Sequence, residues 1–179
     1  MVLPIWGYAP KLCGLMLCVD LFAGAGGSGL GLRRLGFAPW SYERDADCVA
    51  TLRAAGHQVV RCDLGAYEWD PVWRGEVGVL HGSPPCQPWS ASGSGLGADD
   101  KRDGMPHMLR AVEALRPWLV TVENVEGLTY AKHRGYLTWF VGALEALGYT
   151  VAWRVLNARR SARRRSGMAR SADSARHAR

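Results

Sequence analysis

The run Gly82-Ser83-Pro84-Pro85-Cys86-Gln87-Pro88-Trp89-Ser90 rules out regular structure in the middle of this chain. Each proline fixes its own φ, removes a backbone donor and restricts the residue before it, so the segment is neither helix nor inner strand. The apolar Val77–Leu80 just before it reads as a buried strand. Cys86 is therefore presented on a stiff loop at a strand end, where a structural cysteine would normally sit inside a regular element. Taken alone, the same run is equally a proline-rich turn with an incidental cysteine.

The rest of the chain supplies company for that strand. Leu15–Phe22 is an apolar run bounded by glycines, and Gly24, Gly26, Gly27, Gly29 and Gly31 suggest a turn opening into a helix that stops at Gly36. Pro39–Glu43 reads as a second strand, Ala46–Ala55 as a helix ended by Gly56, and Gln58–Cys62 as a third strand. After the proline loop, Ser90–Gly104 is glycine-rich and polar. Met105–Leu115 has helical periodicity, Trp118–Val122 is a fifth strand, Leu137–Leu147 a helix and Tyr149–Leu156 a sixth strand. Strands alternating with helices at this spacing predict an α/β fold with a parallel sheet covered on both faces. Ligands of such sheets bind beyond the carboxyl ends of the strands. Asp20, Glu43, Asp63, Cys86 and Glu123 all fall at those predicted ends.

Composition narrows the class. At 179 residues the chain is sized for one core, and 48% hydrophobic with 21% charged residues suits a globular domain. The five cysteines lack the paired spacing of a disulfide framework or a zinc site, so no metal is expected. Lys11 and the short apolar run ending at Asp20 make a poor signal peptide, no stretch is long enough for a membrane span, and the expected compartment is the cytoplasm. The net charge of +6 misleads: residues 157–179 hold eight arginines against one aspartate, which leaves the body near neutral. Overall pI is thus no argument for nucleic-acid binding by the folded part.

Gly24-x-Gly26-x-x-Gly29 matches the dinucleotide fingerprint, with Glu43 at about the distance of a ribose-binding acid. Alone, the match fits NAD, FAD or S-adenosylmethionine. Glycines let a ligand approach the backbone closely, Glu43 can accept both ribose hydroxyls, and Asp63 can accept the exocyclic amine of an adenine or serve merely as a cap or surface acid.

Together, Asp20-Leu21-Phe22-Ala23-Gly24-Ala25-Gly26-Gly27, the Pro85-Cys86-Gln87 core of the loop and Glu123-Asn124-Val125 resemble the motifs of the DNA (cytosine-5) methyltransferase family, in its order and spacing. The resemblance covers roughly residues 16–157. It implies a Rossmann-like, doubly wound, mostly parallel sheet of the S-adenosylmethionine-dependent methyltransferase type, lacking the target-recognition domain. It also implies an incomplete catalytic domain over residues 1–157, a basic tail over 158–179 and a place in restriction–modification. Phe22, Gly24, Gly26, Glu43, Asp63 and Pro85 are then expected to contact S-adenosyl-L-methionine, Cys86 to be the nucleophile and Glu123 the acid that holds the cytosine. The implied partner is double-stranded DNA with the target base flipped out of the stack.

The reaction explains these residue types. Carbon 5 of cytosine is too weak a nucleophile to attack a methyl sulfonium until a thiolate adds at carbon 6, and a proton shared at N3 offsets the charge that develops. Cys86 suits the first task, and Glu123 the second if burial keeps a proton on or near its carboxyl. Ser90–Gly104 is the expected lid. Asn124 is expected to brace the Cys86 loop, the other cysteines to act as small hydrophobes, and the eight tryptophans mostly to anchor the core or the lid.

Beyond Asn157 the sequence departs from the family, which continues with an aromatic-Gly-x-Pro-Gln-x-Arg segment and a recognition region. Weak or absent turnover is therefore expected. The alternatives are a tRNA cytosine methyltransferase of the same type, a cofactor-binding remnant or half of a split enzyme awaiting a complementary subunit, and, last, a nicotinamide oxidoreductase, which leaves the proline loop unexplained. One permitted back-translation of Arg159–Gly167, read two bases later, encodes Thr-Phe-Gly-Ala-Pro-Gln-Lys-Arg, so a frameshift is the sharper account of the tail. Sequencing the gene onward from the Asn157 codon checks it. The expected result is Phe-Gly-x-Pro-Gln in a shifted frame, and its absence ends the idea.

Overall fold

The computed structural model describes residues 2–4, 17–90 and 97–157. Its strands are β1 (Val2–Pro4), β2 (Leu17–Leu21), β3 (Pro39–Glu43), β4 (Gln58–Arg61), β5 (Val77–Gly82), β6 (Leu119–Val122) and β7 (Tyr149–Val151). The helices are α1 (Gly27–Arg34), α2 (Ala46–Ala54), α3 (Met105–Leu115) and α4 (Arg134–Ala146). All seven strands join one sheet in the order β4-β3-β2-β5-β6-β1-β7. The contiguous run from β4 to β6 is parallel throughout, whereas β1 lies antiparallel to both β6 and β7. The α/β, Rossmann-like, mostly parallel sheet expected from the sequence is the one observed.

Alternation along the strands assigns the two faces. On one, the Ser28 hydroxyl of α1 lies 3.0 and 2.9 Å from the two carboxylate oxygens of Asp20. On the other, Met108 of α3 presses on Gly82, so that a β-carbon there would stand 2.5 Å from the Met108 sulfur. Helix α3 buries Met105, Met108, Ala111, Val112 and Leu115. Each large apolar side chain buried in this way contributes about 1.5–3 kcal/mol.

Besides shifts of one or two residues at other ends, three differences from the sequence reading stand out. Strand β1 was not expected, and three residues are too few to carry a periodic signal. The last strand ends at Val151, not Leu156, because among the described residues it pairs only with the three residues of β1. Helix α4 begins at Arg134, not Leu137, directly after a tight turn over Ala131–His133 and with no side-chain cap to announce it. The tryptophan expectation also fails. Of the seven described, Trp89 is buried and Trp69 half-buried against the core, whereas Trp40, Trp73, Trp118, Trp139 and Trp153 are exposed. Part of the expected lid (91–96), the tail from 158 and Cys13 lie outside the described residues. Among the described residues, no helix is long and apolar enough to cross a membrane.

The proline loop is anchored by Trp89. Its ring lies 4.3 Å from that of Tyr136 and meets His133 edge-on at 5.2 Å, both supplied by the start of α4 and the turn before it. Gly127 lies so close beneath that a β-carbon there would overlap the Trp89 carbonyl oxygen. Because the obstacle is backbone, it cannot rotate away. Gly127→Ala is therefore expected to cost on the order of 3 kcal/mol in chemical denaturation.

Burial pushes the Asp20 carboxyl up to about 6, while the bond from Ser28 pulls it down. A folded pKa above the unfolded one means that this group favours folding fully only below its unfolded pKa, near 4, and that the contribution is lost as pH rises through about 6. Asp20→Asn removes the titration. Relative to the parent chain, the variant's unfolding free energy in urea is expected to improve by on the order of 2–3 kcal/mol between pH 4 and pH 7.

Candidate active site

A cleft of about 610 Å³ opens at the carboxyl ends of β2 to β6. The sheet changes direction there: the chain leaves β2 for β3 and β4 on one side, then returns to β5 and β6 on the other. Loops diverge at such a switch point and leave space between them. Six of the eight residues singled out in the sequence line this space: Phe22, Glu43, Asp63, Pro85, Cys86 and Glu123. Gly24 and Gly26 stand in the turn beside it. Asp20, grouped with the other strand-end acids, is fully buried against α1 instead.

Phe22 is held at φ 55, a left-handed conformation rare for a bulky residue. Its ring is met by the N-terminus of α3, where Gly104 packs so closely that a β-carbon would stand 2.9 Å from each of Phe22, Pro84 and Pro85. The glycine turn is braced by Glu43. One of its oxygens accepts the Gly24 N–H at 2.8 Å, and the other accepts those of Arg44 and Asp45, each at 2.8 Å. Gly26, at φ 99, starts α1.

Asp63 is exposed and forms a local turn, its Oδ1 accepting the Gly65 N–H at 2.8 Å. Its Oδ2 has no hydrogen bond among the described residues.

Cys86 is a half-buried free thiol whose carbonyl accepts the N–H groups of Trp89 (3.0 Å) and Ser90 (2.9 Å). Asn124 braces this loop as expected: its Nδ2 donates to the Pro84 carbonyl at 3.2 Å, and its Oδ1 accepts the Val125 N–H at 2.9 Å. Glu123 is bonded through its own N–H to the Gly82 carbonyl at 3.0 Å. Its side chain is exposed, so in the free cleft it lacks the burial expected of it. Burial pushes the Cys18 thiol up to about 12 and that of Cys62 to about 11, which suppresses their thiolates.

The sequence reading missed several residues here. Arg44, Lys101, Arg102 and His107 also line the cleft, the last three from the segment and helix after the proline loop. Tyr136 donates to Asp103, tying that segment to α4. Below the cleft, Asp20 is in register with Ser41 on one side and His81 on the other, and His81 with Thr121, so polar residues cross four strands. His81 bridges Thr121 Oγ1 (2.8 Å) and Ser83 Oγ (3.1 Å), and burial lowers its pKa. Isolated serines, histidines and threonines give no sequence signal for such a row; only strand register reveals it.

Known proteins resemble this arrangement. The chain is 37% identical over 143 residues to the type II methyltransferase M.AplI of Arthrospira platensis, covering 80% of this chain and 41% of that protein. It is 35% identical over 144 residues to M.NaeI of Lentzea aerocolonigenes, covering 78% and 35%. The chain thus spans about two fifths or less of the length of these relatives. Among solved structures, a candidate DNA modification methyltransferase encoded within an E. coli prophage superposes with a TM-score of 0.57 at 24% identity, over 73% of this chain and 38% of that one. Spodoptera frugiperda DNMT2 superposes with a TM-score of 0.50 at 16% identity, over 71% and 40%. These two likenesses speak for the fold alone. A sequence profile matches residues 16–162, most of the chain, and by that match the protein belongs to the C-5 cytosine-specific DNA methylase family.

Proposed function

We propose that the protein transfers a methyl group from S-adenosylmethionine to carbon 5 of cytosine in DNA through a transient bond from Cys86. The observation that carries this reading is the sharing of one cleft by Cys86 and Glu123 with Glu43 and Asp63. Family membership and the type II methyltransferase relatives support it further.

The residues present fit the cofactor. The cleft has the volume of a small-molecule site. Asp63 keeps Oδ2 for the adenine amine, and Phe22 and Pro85 offer apolar walls. Glu43 already accepts three backbone N–H groups, which leaves about one of its four acceptor sites, enough for one ribose hydroxyl rather than both. Gly24 and Gly26 keep the turn free of side chains beside the methionine end. When bound, S-adenosylmethionine supplies an electrophilic methyl group.

The chain's own residues do the rest. Cys86, as thiolate, adds to carbon 6 of a flipped cytosine and makes carbon 5 nucleophilic. Glu123 shares a proton with N3 as charge develops there. The burial this proton needs comes from the base itself filling the cleft, since the free carboxyl is exposed. After methylation, a water molecule takes the carbon-5 proton, the electron pair of that C–H bond restores the ring double bond and the Cys86 thiolate is expelled. Arg44 and Lys101 at the cleft are suited to nearby phosphates, whereas Arg102 is paired with the Asp100 carboxylate at 2.6 and 2.9 Å.

Two measurements test this reading. S-adenosylhomocysteine at a hundred times its Kd is expected to stabilise the protein by about 2.7 kcal/mol in thermal melts, and NAD by none. Tritium from labelled S-adenosylmethionine should enter mixed-sequence DNA, at a low rate, and Cys86→Ala should abolish it. Stabilisation by NAD alone, or incorporation that survives loss of Cys86, overturns the proposal.

A further inference from the structure

Arg110 belongs to none of the sequence motifs and does not line the cleft, yet it holds the loop that carries Asp63. From α3 its guanidinium reaches across to the segment after β4. Nη1 donates to the Gly65 carbonyl at 3.0 Å, and Nη2 donates to the carbonyls of Leu64 and, at 3.3 Å, Tyr67. The loop is also held by the Cys62 N–H on the Glu43 carbonyl at 3.0 Å, by burial of Leu64 and by the edge-on contact of Tyr67 with Tyr42 at 5.4 Å. Among the described residues, however, Asp63 and Gly65 themselves have only local turns besides Arg110: Gly65 N–H to Asp63 Oδ1 at 2.8 Å, and Ala66 N–H to the Asp63 carbonyl at 3.1 Å. Asp63 itself is exposed. One turn earlier on α3, His107 closes on the same loop, so that a β-carbon at Gly65 would stand 3.4 Å from its Nε2 and 3.1 Å from Asp63 Oδ1. A planar fork meeting three carbonyls fixes both position and orientation, which a lysine's single nitrogen cannot do.

We infer that Arg110 is a positioning residue that aims Asp63 at the 6-amino group of the bound purine and so sets the cofactor's base specificity. The inference rests on the S-adenosylmethionine reading above. A carboxylate accepts from the amine of adenine but is repelled by the carbonyl oxygen that hypoxanthine carries there, so misaiming Asp63 costs discrimination as well as affinity.

Calorimetric titration of the full chain with S-adenosylhomocysteine and with S-inosylhomocysteine reads this directly. The parent chain is expected to prefer the adenine compound by on the order of 10-fold or more. Arg110→Gln should bring that ratio to within about threefold of unity, and Arg110→Lys, which keeps stem and charge, should fall between. Asp63→Asn should remove the preference with Arg110 intact, and adding Arg110→Gln to it should change the ratio no further. Arg110 variants that lose affinity but keep the parent ratio overturn the inference, since a merely structural role weakens both ligands alike. If Arg110→Gln does not fold, the ratio in Arg110→Lys decides alone. A parent chain that binds S-adenosylhomocysteine without preference overturns the role of Asp63 and this inference with it. A parent chain that binds neither overturns the cofactor reading itself.

Discussion

The site depends on the reversal of chain direction between β2 and β5. Parallel strands release all their following loops at one edge of the sheet, and a single reversal makes neighbouring loops diverge there. Five loops meet at this edge, and they carry Phe22, Glu43, Asp63, Cys86 and Glu123. No two of these residues are closer than 20 positions in sequence. Moving the reversal by one strand would separate Phe22 from the proline loop, since β2 and β5 are direct neighbours only in this order.

Topology brings the loops together but does not hold the proline loop in shape. Prolines at positions 84, 85 and 88 remove three backbone donors, so the segment cannot close on itself with ladder hydrogen bonds. Its stiffness is therefore borrowed. The Pro84 carbonyl is taken by Asn124 and the Pro88 carbonyl by the Gly97 N–H at 3.1 Å, while within the loop the Cys86 carbonyl accepts the N–H groups of Trp89 and Ser90. Trp89 then plugs the loop into the turn before α4. Close approach at Gly104 and Gly127 makes these contacts possible, because a side chain at either position would stand where the loop stands.

This division explains what the sequence made legible. The central strands were readable because each is an apolar run ended by a glycine or an acid, and α3 because its apolar residues recur at helical spacing. The cleft residues were readable because strand ends can be located without knowing which strands are neighbours. The braces were not. Arg110 on Leu64, Gly127 on Trp89 and Tyr136 on Asp103 join residues far apart in the chain and have no local signature. Tryptophan content misled, because a large apolar side chain gives no sign of its exposure when it stands on a strand facing solvent, as Trp40 does, or outside regular structure, as Trp153 does. The short β1 and the end of β7 at Val151 define each other, so β7 was legible as a strand but its end, like β1, was not.

The polar row beneath the cleft follows from the same need for a fixed floor. Ser41, Asp20, His81 and Thr121 cross the middle of a sheet whose neighbours are apolar, and buried polar groups are costly unless satisfied. The principal partners come from the site's own supports: Ser28 from the first turn of α1 holds Asp20, and Ser83 from the head of the proline loop holds His81. Burial keeps His81 disposed to be neutral, so one ring nitrogen donates and the other accepts, and the imidazole can join Thr121 to Ser83 without carrying charge. An apolar row would pack equally well against α1 but would leave both turns free to slide over it. Directional bonds to Ser28 and Ser83 fix the glycine turn to β2 and the head of the cysteine loop to β5, and the direct pairing of those two strands sets the relative position of the two halves of the cleft.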